Sequence, residues 1–284
     1  MFPLRKRCGW LLIAVAVLLI AVIGVVFSLF QSAKGGVPVL NYHQINDTEK
    51  NALTVNTEQF DAQMRYLAEN GYTTITPADM LDAWENGTEL PEKPVIITFD
   101  DGYLDNYNHA FPILEKYQLK ATIFLISDYV GTYPNYLTWS DVQDMNESGL
   151  IDFESHTLSH EELTKAPSLD EAKHQLTGSK QAIEWNLGKP VRFIAYPCGE
   201  YNEDIEQATK DAGYRAAFTV NYGLAEPGED PFILDRVPIF GSNSHTLLRF
   251  KLRMTLAPLF APLNKIKMNL RETHPTLASF ILVP

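Results

Sequence analysis

From residue 37 onward the chain alternates between short, wholly apolar runs and longer stretches whose apolar positions recur every three or four residues. Residues 37–40 predict a strand ending at Asn41-Tyr42-His43, and residues 95–99 a strand that runs straight into Asp100-Asp101-Gly102. Further strands are predicted at 121–126, from Phe153 to His156, at 193–196 and at 216–220. Helical spacing fills the gaps. Residues 57–70 put Phe60, Met64 and Leu67 on one face and stop at Gly71, and Thr76-Pro77 opens a helix that ends near Gly87. Other helices are predicted at 107–117, from a Ser140 cap to about Gly149, at 169–187 before Gly188, and at 203–212. Apolar strands that alternate with helices imply a parallel sheet covered on its faces. Roughly seven such units favour a closed barrel over an open sheet. No repeat, low-complexity tract or linker interrupts them, so they read as one domain.

The N-terminus has a different pattern. Arg5-Lys6-Arg7 precedes an uncharged, mostly apolar run at 9–30. As helix its length is about 33 Å, close to a hydrocarbon core of about 30 Å. A secretory signal has a shorter apolar core and a better cleavage site than Phe30-Gln31-Ser32-Ala33. The expected class is therefore α/β: a (β/α) barrel with a single N-terminal transmembrane helix. Residues 1–8 are expected to form a cytoplasmic basic end, 9–30 the anchor, 31–245 the barrel domain and 246–284 a basic, apolar extension. The positive flank places the N-terminus inside and the body outside the cell membrane.

Charge is unevenly distributed. Residues 34–245 hold 14 Lys/Arg against 34 Asp/Glu, net -20, whereas 246–284 hold six basic residues against Glu272, net +5. An acidic body argues against nucleic acid as a partner. The basic tail, with Leu247, Leu248, Leu252 and Leu256 among Arg249, Lys251 and Arg253, reads either as a membrane-surface segment or as a helix packed on the barrel. Cys8 and Cys198 make neither a disulfide framework nor a zinc-finger cluster.

The polar residues gather at the predicted C-terminal ends of strands, where barrel enzymes carry their chemistry. Two adjacent carboxylates there, Asp100 and Asp101, are costly unless paired, hydrogen-bonded or metal-bound. One can bind a metal while the other works as a base. Ser155-His156-Thr157-Leu158-Ser159-His160 places two imidazoles four residues apart, on one face if the segment is helical. Two histidines and one aspartate leave a position open for water, the pattern of a catalytic metal site.

Thr98-Phe99-Asp100-Asp101-Gly102-Tyr103 and His156-Thr157-Leu158-Ser159-His160 resemble the first two motifs of the polysaccharide deacetylase (NodB-homology, carbohydrate esterase four) family. The resemblance covers about residues 37–240 and implies α/β architecture as a distorted (β/α) barrel, in agreement with the barrel expected from the strand pattern. It also implies that Asp101, His156 and His160 hold one divalent metal and that Asp100 is the general base. Zinc suits these ligands best, with cobalt, nickel or iron acceptable. The third motif departs from the family pattern. Ala195-Tyr196-Pro197-Cys198-Gly199 has Ala195 for the usual arginine and Cys198 for the usual aromatic residue. Cys198 can still give its backbone N–H to an oxyanion, and Arg236 is the candidate substitute for the arginine. Val37-Pro38-Val39-Leu40-Asn41-Tyr42-His43 resembles the opening of a subgroup acting on poly-N-acetylglucosamine, which makes His43 the candidate general acid. The implied activity is removal of N-acetyl groups from an extracellular amino-sugar polysaccharide. The alternatives are a peptidoglycan or chitin-type substrate, or a non-catalytic glycan-binding member of the fold. Tyr103, Trp139, Tyr196 and Phe240 are candidates for a sugar-stacking floor.

Overall fold

The computed structural model of this chain describes residues 15, 17, 19–29, 31, 35–240 and 245–281. Its strands, in chain order, are β1 (Val39–Tyr42), β2 (Gln44–Ile45), β3 (Thr54–Val55), β4 (Thr73–Thr74), β5 (Pro94–Asp101), β6 (Ala121–Leu125), β7 (Ile151–Ser155), β8 (Phe193–Ala195), β9 (Ala216–Tyr222) and β10 (Leu234–Pro238). β1, β10, β9, β8, β7, β6 and β5 pair in that order, and β5 also pairs with β1. The ring is therefore closed and every pairing in it is parallel. β4 adds to the outer edge of β5, and β2 pairs only with β3.

Closure explains why the strands are apolar on both faces: one face lines the interior and the other lies under helices. In parallel pairs, residues in register share a face. Val39 lies beside Ile96 and Asn41 beside Thr98, while Thr98 meets Thr122 and Asp100 meets Phe124. Val39, Ile96, Phe124, Phe193, Phe218 and Leu234 belong to one buried cluster. Thr98, Asp100 and Arg236 are also fully or nearly fully buried. The interior thus turns polar towards the strands' C-terminal ends.

The helices are α1 (Thr57–Glu69), α2 (Pro77–Asn86), α3 (Phe111–Tyr117), α4 (Trp139–Glu147), α5 (Leu169–Leu187), α6 (Glu203–Asp211), α7 (Leu247–Thr255), α8 (Ala257–Thr273) and α9 (Pro275–Ala278). Capping chemistry sets several ends where expected. Thr76 opens α2 in a capping box, and Gly188 ends α5 in the left-handed region at φ 66°. Elsewhere the structure corrects the expectation. Thr138, not Ser140, caps α4, because its hydroxyl accepts from Asp141 N–H. The helix expected over 107–117 begins as a π-helical turn at Asn106–Ala110 and becomes α-helical only at Phe111. Pro112 lacks the N–H that an i→i−4 ladder would need there. β10 is a further strand beyond those predicted, since Asp235 and Arg236 interrupt its apolar run.

The described residues cluster into two compact units, one spanning Gly36–Ala257 and one made of those before Gly36 and those from Pro258. The barrel unit thus includes α7, which follows the expected boundary at 245. Phe250, Arg253 and Met254 of α7 are buried, and the Tyr222 hydroxyl donates to the Arg253 carbonyl at 2.7 Å. Much of the expected anchor at 9–30, with all of residues 1–8, lies outside the described residues. Among the described residues, no helix is long and apolar enough to cross a membrane.

Candidate metal and catalytic site

Asp100 and Asp101 end β5 and serve different partners. Asp100 faces the barrel interior, where it is 1% exposed. Arg236 Nη1 donates to Asp100 Oδ1 and Nη2 to Oδ2, each at 2.7 Å. Arg236 is itself fully buried, and its Nε donates to the Thr219 carbonyl at 2.7 Å. This is a planar, two-pronged charge pair that fixes the carboxylate plane. Burial, the largest single cause, opposes the charge on Asp100, but the Arg236 guanidinium together with His156 and His43 holds the carboxyl well below the usual carboxylate range. Ala195, where the motif would have an arginine, is fully buried and uncharged; the guanidinium arrives instead from β10.

Asp101 has φ 76°, in the left-handed region, so it does not continue the strand's alternation. Its Oδ1 lies 3.4 Å from His156 Nε2 and 3.5 Å from His160 Nε2. That oxygen is buried and accepts no hydrogen bond among the described residues. The three ligand atoms lie within 4.8 Å of one another. A tetrahedral ion with bonds of about 2.0–2.1 Å holds its ligands about 3.3–3.4 Å apart. An orphaned carboxylate oxygen facing two imidazole nitrogens at that spacing fits a divalent metal.

The histidine segment is not a helix, so the helical condition for a shared face is not met and the loop brings the two rings together instead. β7 ends at Ser155, and Thr157 and His160 have φ of 68° and 62°. The loop is fixed by its surroundings: Ser127 and Asp128 N–H groups donate to the Thr157 and Leu158 carbonyls, and Gln175 Oε1 accepts from Ser159 N–H. His156 Nδ1 lies 2.7 Å from the Ala195 carbonyl, an acceptor only. The proton must therefore sit on Nδ1, leaving the Nε2 lone pair towards Asp101. Asp101, Thr157, His160 and Cys198 are all non-glycine residues with positive φ. Such strain concentrates where a site over-determines the backbone.

His43 follows β1 and points its Nε2 to within 3.9 Å of Asp100 Oδ2. Burial lowers its pKa, an effect that the Asp100 and Asp101 carboxylates partly oppose. The Phe240 ring meets the imidazole edge-on, with centroids 4.8 Å apart and planes at 80°. The geometry thus brings Asp100, Asp101, His156, His160, His43 and Arg236 to one end of the barrel.

The profile of the family described as "Polysaccharide deacetylase" matches residues 87–217. The chain is similar to YxkH of Bacillus subtilis (strain 168), whose name assigns it to the polysaccharide deacetylases. The two are 36% identical over 202 residues, 71% of each chain. The chain belongs to the polysaccharide deacetylase family. It is also 29% identical over 241 residues to a poly-beta-1,6-N-acetyl-D-glucosamine N-deacetylase of Staphylococcus epidermidis, covering 76% of this chain and 83% of that one. Among solved structures it resembles the Streptococcus pyogenes deacetylase PplD in complex with acetate. That match has a TM-score of 0.69 and 29% identity, over 82% of this chain and 97% of the other.

The remaining deacetylase residues fall as follows. Cys198 lies in the turn Pro197–Gly199 after β8, with φ 58° and an exposed side chain. Burial of its sulfur, followed by nearby carboxylates such as Glu162, raises the thiol pKa, the opposite of an activated nucleophile. Of the candidate floor residues, Tyr196 is fully buried and unavailable to a sugar. Tyr103 remains half-buried and stacks on Tyr136 at 4.9 Å, within a cluster that includes Tyr129 and Tyr133. Tyr133 is half exposed. The Ala195 carbonyl that orients His156 escaped the sequence reading, because a main-chain acceptor leaves no side-chain signal.

Proposed function

We propose that this polysaccharide deacetylase uses one divalent metal, zinc for preference, to release acetate from an extracellular N-acetylglucosamine polymer, with poly-β-1,6-N-acetylglucosamine favoured. The observation carrying this reading is the site's division of labour. One carboxylate is bound to a buried arginine, and its neighbour faces two imidazoles. The Staphylococcus epidermidis relative, by its name, supports the polymer.

A metal held by Asp101, His156 and His160 would polarise the acetamide carbonyl and lower the pKa of bound water from about 15.7 towards about 7. Asp100, ionised by its pair with Arg236, takes the proton of the attacking water. It holds that proton weakly, because the guanidinium disfavours its neutral form. His43 is the base within reach, at 3.9 Å from Asp100 Oδ2. It receives the proton and delivers it to the departing nitrogen. Its lowered pKa suits this relay, since the resting ring is neutral and free to accept. The Cys198 N–H is the proposed oxyanion donor; one such donor is typically worth about 2.7–4 kcal/mol. Arg236 supplies the cation that Ala195 cannot, which removes the sequence-based ground for a non-catalytic protein.

Localisation is proposed as membrane-anchored with the barrel outside, on the apolar run at 9–30 and its basic flank. The test of function is acetate release from β-1,6-linked, β-1,4-linked and peptidoglycan-type N-acetylglucosamine substrates, with and without a chelator. The reading expects β-1,6 turnover to dominate, to vanish on chelation and to return with zinc. Equal rates on every linkage would overturn the preference, and chelator-resistant turnover would overturn the metal.

A further inference from the structure

We propose that Phe240 is a positioning residue for His43, held in place by Arg253 of α7, so that a helix outside the chemistry sets the proton delivery. This rests on the assignment of His43 as the group that protonates the leaving amine. Phe240 lies just beyond β10, and its ring and the His43 imidazole pack in a T-shaped pair with centroids 4.8 Å apart and planes at 80°. An edge-to-face contact restricts both translation and rotation of the ring it meets. His43 needs such a restraint, because it follows the last residue of β1 and its Nδ1 is buried without a hydrogen-bond partner among the described residues.

The restraint on Phe240 comes from the main chain around it. Arg253 is only 8% exposed. Its Nη1 donates to the Pro238 carbonyl and lies 3.4 Å from the Phe240 carbonyl. Ile239 N–H between them donates to the Asn41 carbonyl at 2.8 Å. The 238–240 segment is therefore tied to β1 on one side and to α7 on the other. The helix is anchored in turn by the Tyr222 hydroxyl, which donates to the Arg253 carbonyl at 2.7 Å, and by buried Phe250.

The proton role gives a readout that packing alone would not move. Amide cleavage breaks the C–N bond and places its electron pair on nitrogen, which leaves as an amine only after gaining a proton. An aryl acetate such as 4-methylumbelliferyl acetate breaks a C–O bond instead, and its phenolate leaves unprotonated. Phe240→Leu in the full chain should therefore lower kcat on N-acetylglucosamine oligomers by on the order of 10- to 100-fold. Metal content and aryl acetate hydrolysis should stay within about 2-fold of the parent. Phe240→Tyr, which keeps the ring edge, should restore the amide rate, and Arg253→Met should reproduce the Phe240→Leu selectivity if it folds. His43→Ala is the control. If it loses the amide reaction selectively while Phe240→Leu slows both substrates alike or neither, the positioning role is overturned and the acid assignment stands. If His43→Ala slows both substrates equally, the acid assignment itself is refuted.

Discussion

Replacing Arg236 with methionine removes one half of a fully buried ion pair and leaves Asp100, at 1% exposure, without its guanidinium. Stranding one charge of such a pair typically costs about 3–5 kcal/mol. The pH dependence follows from the two opposing causes at Asp100. In the parent, Arg236 holds the folded-state pKa below the ordinary carboxylate value. The pair's contribution is thus present above about pH 4 and is lost as pH falls further. In the variant, burial, already the largest single cause, is opposed only by His156 and His43, and the carboxyl should rise above its unfolded value. The variant's stability then declines as pH climbs from about 4 through that raised pKa. The stability gap between parent and variant should be widest near neutrality and narrow towards pH 4. Urea unfolding of both proteins across pH 4–8 measures it. Asp100→Leu/Arg236→Met should recover most of the loss, because removing both charges leaves nothing stranded. A gap below about 1 kcal/mol, or one that does not vary with pH, would refute this account of the pair.

Three further outcomes follow from the site. Asp100→Asn should lower kcat by at least about 100-fold while metal content, read by elemental analysis, stays near one per chain. His156→Ala should lose both metal and turnover, since Nε2 faces the shared Asp101 oxygen at 3.4 Å. Gly199→Ala should depress turnover more than metal binding. Gly199 sits at φ 75°, and an added Cβ would meet Val220 Cγ2 at 2.4 Å and Val220 N at 2.8 Å, displacing the turn that presents the Cys198 N–H. Kinetics alongside metal analysis would separate the two effects.

Much of this protein was legible from local patterns. Cap residues such as Thr76 and Gly188 act within one turn of chain, and the apolar runs of β5 and β6 need no partner to be recognised. Asp100, Asp101, His156 and His160 stood out because chemistry-bearing residues clustered within short segments. What remained hidden depends on contacts distant in sequence or on main-chain geometry. The sequence offered Arg236 as a candidate, but only barrel closure brings it two-pronged onto a carboxylate 136 residues earlier. Helical spacing suggested a shared face for the two histidines, whereas the loop achieves it with left-handed residues held by β6 and α5. The tail 246–284 read as either a surface segment or a packed helix, and for its first helix, α7, the buried Arg253 points to packing. Sequence determines which groups are present and their local conformational preferences; the closed sheet alone decides which of them meet, because that depends on register and closure across the whole chain.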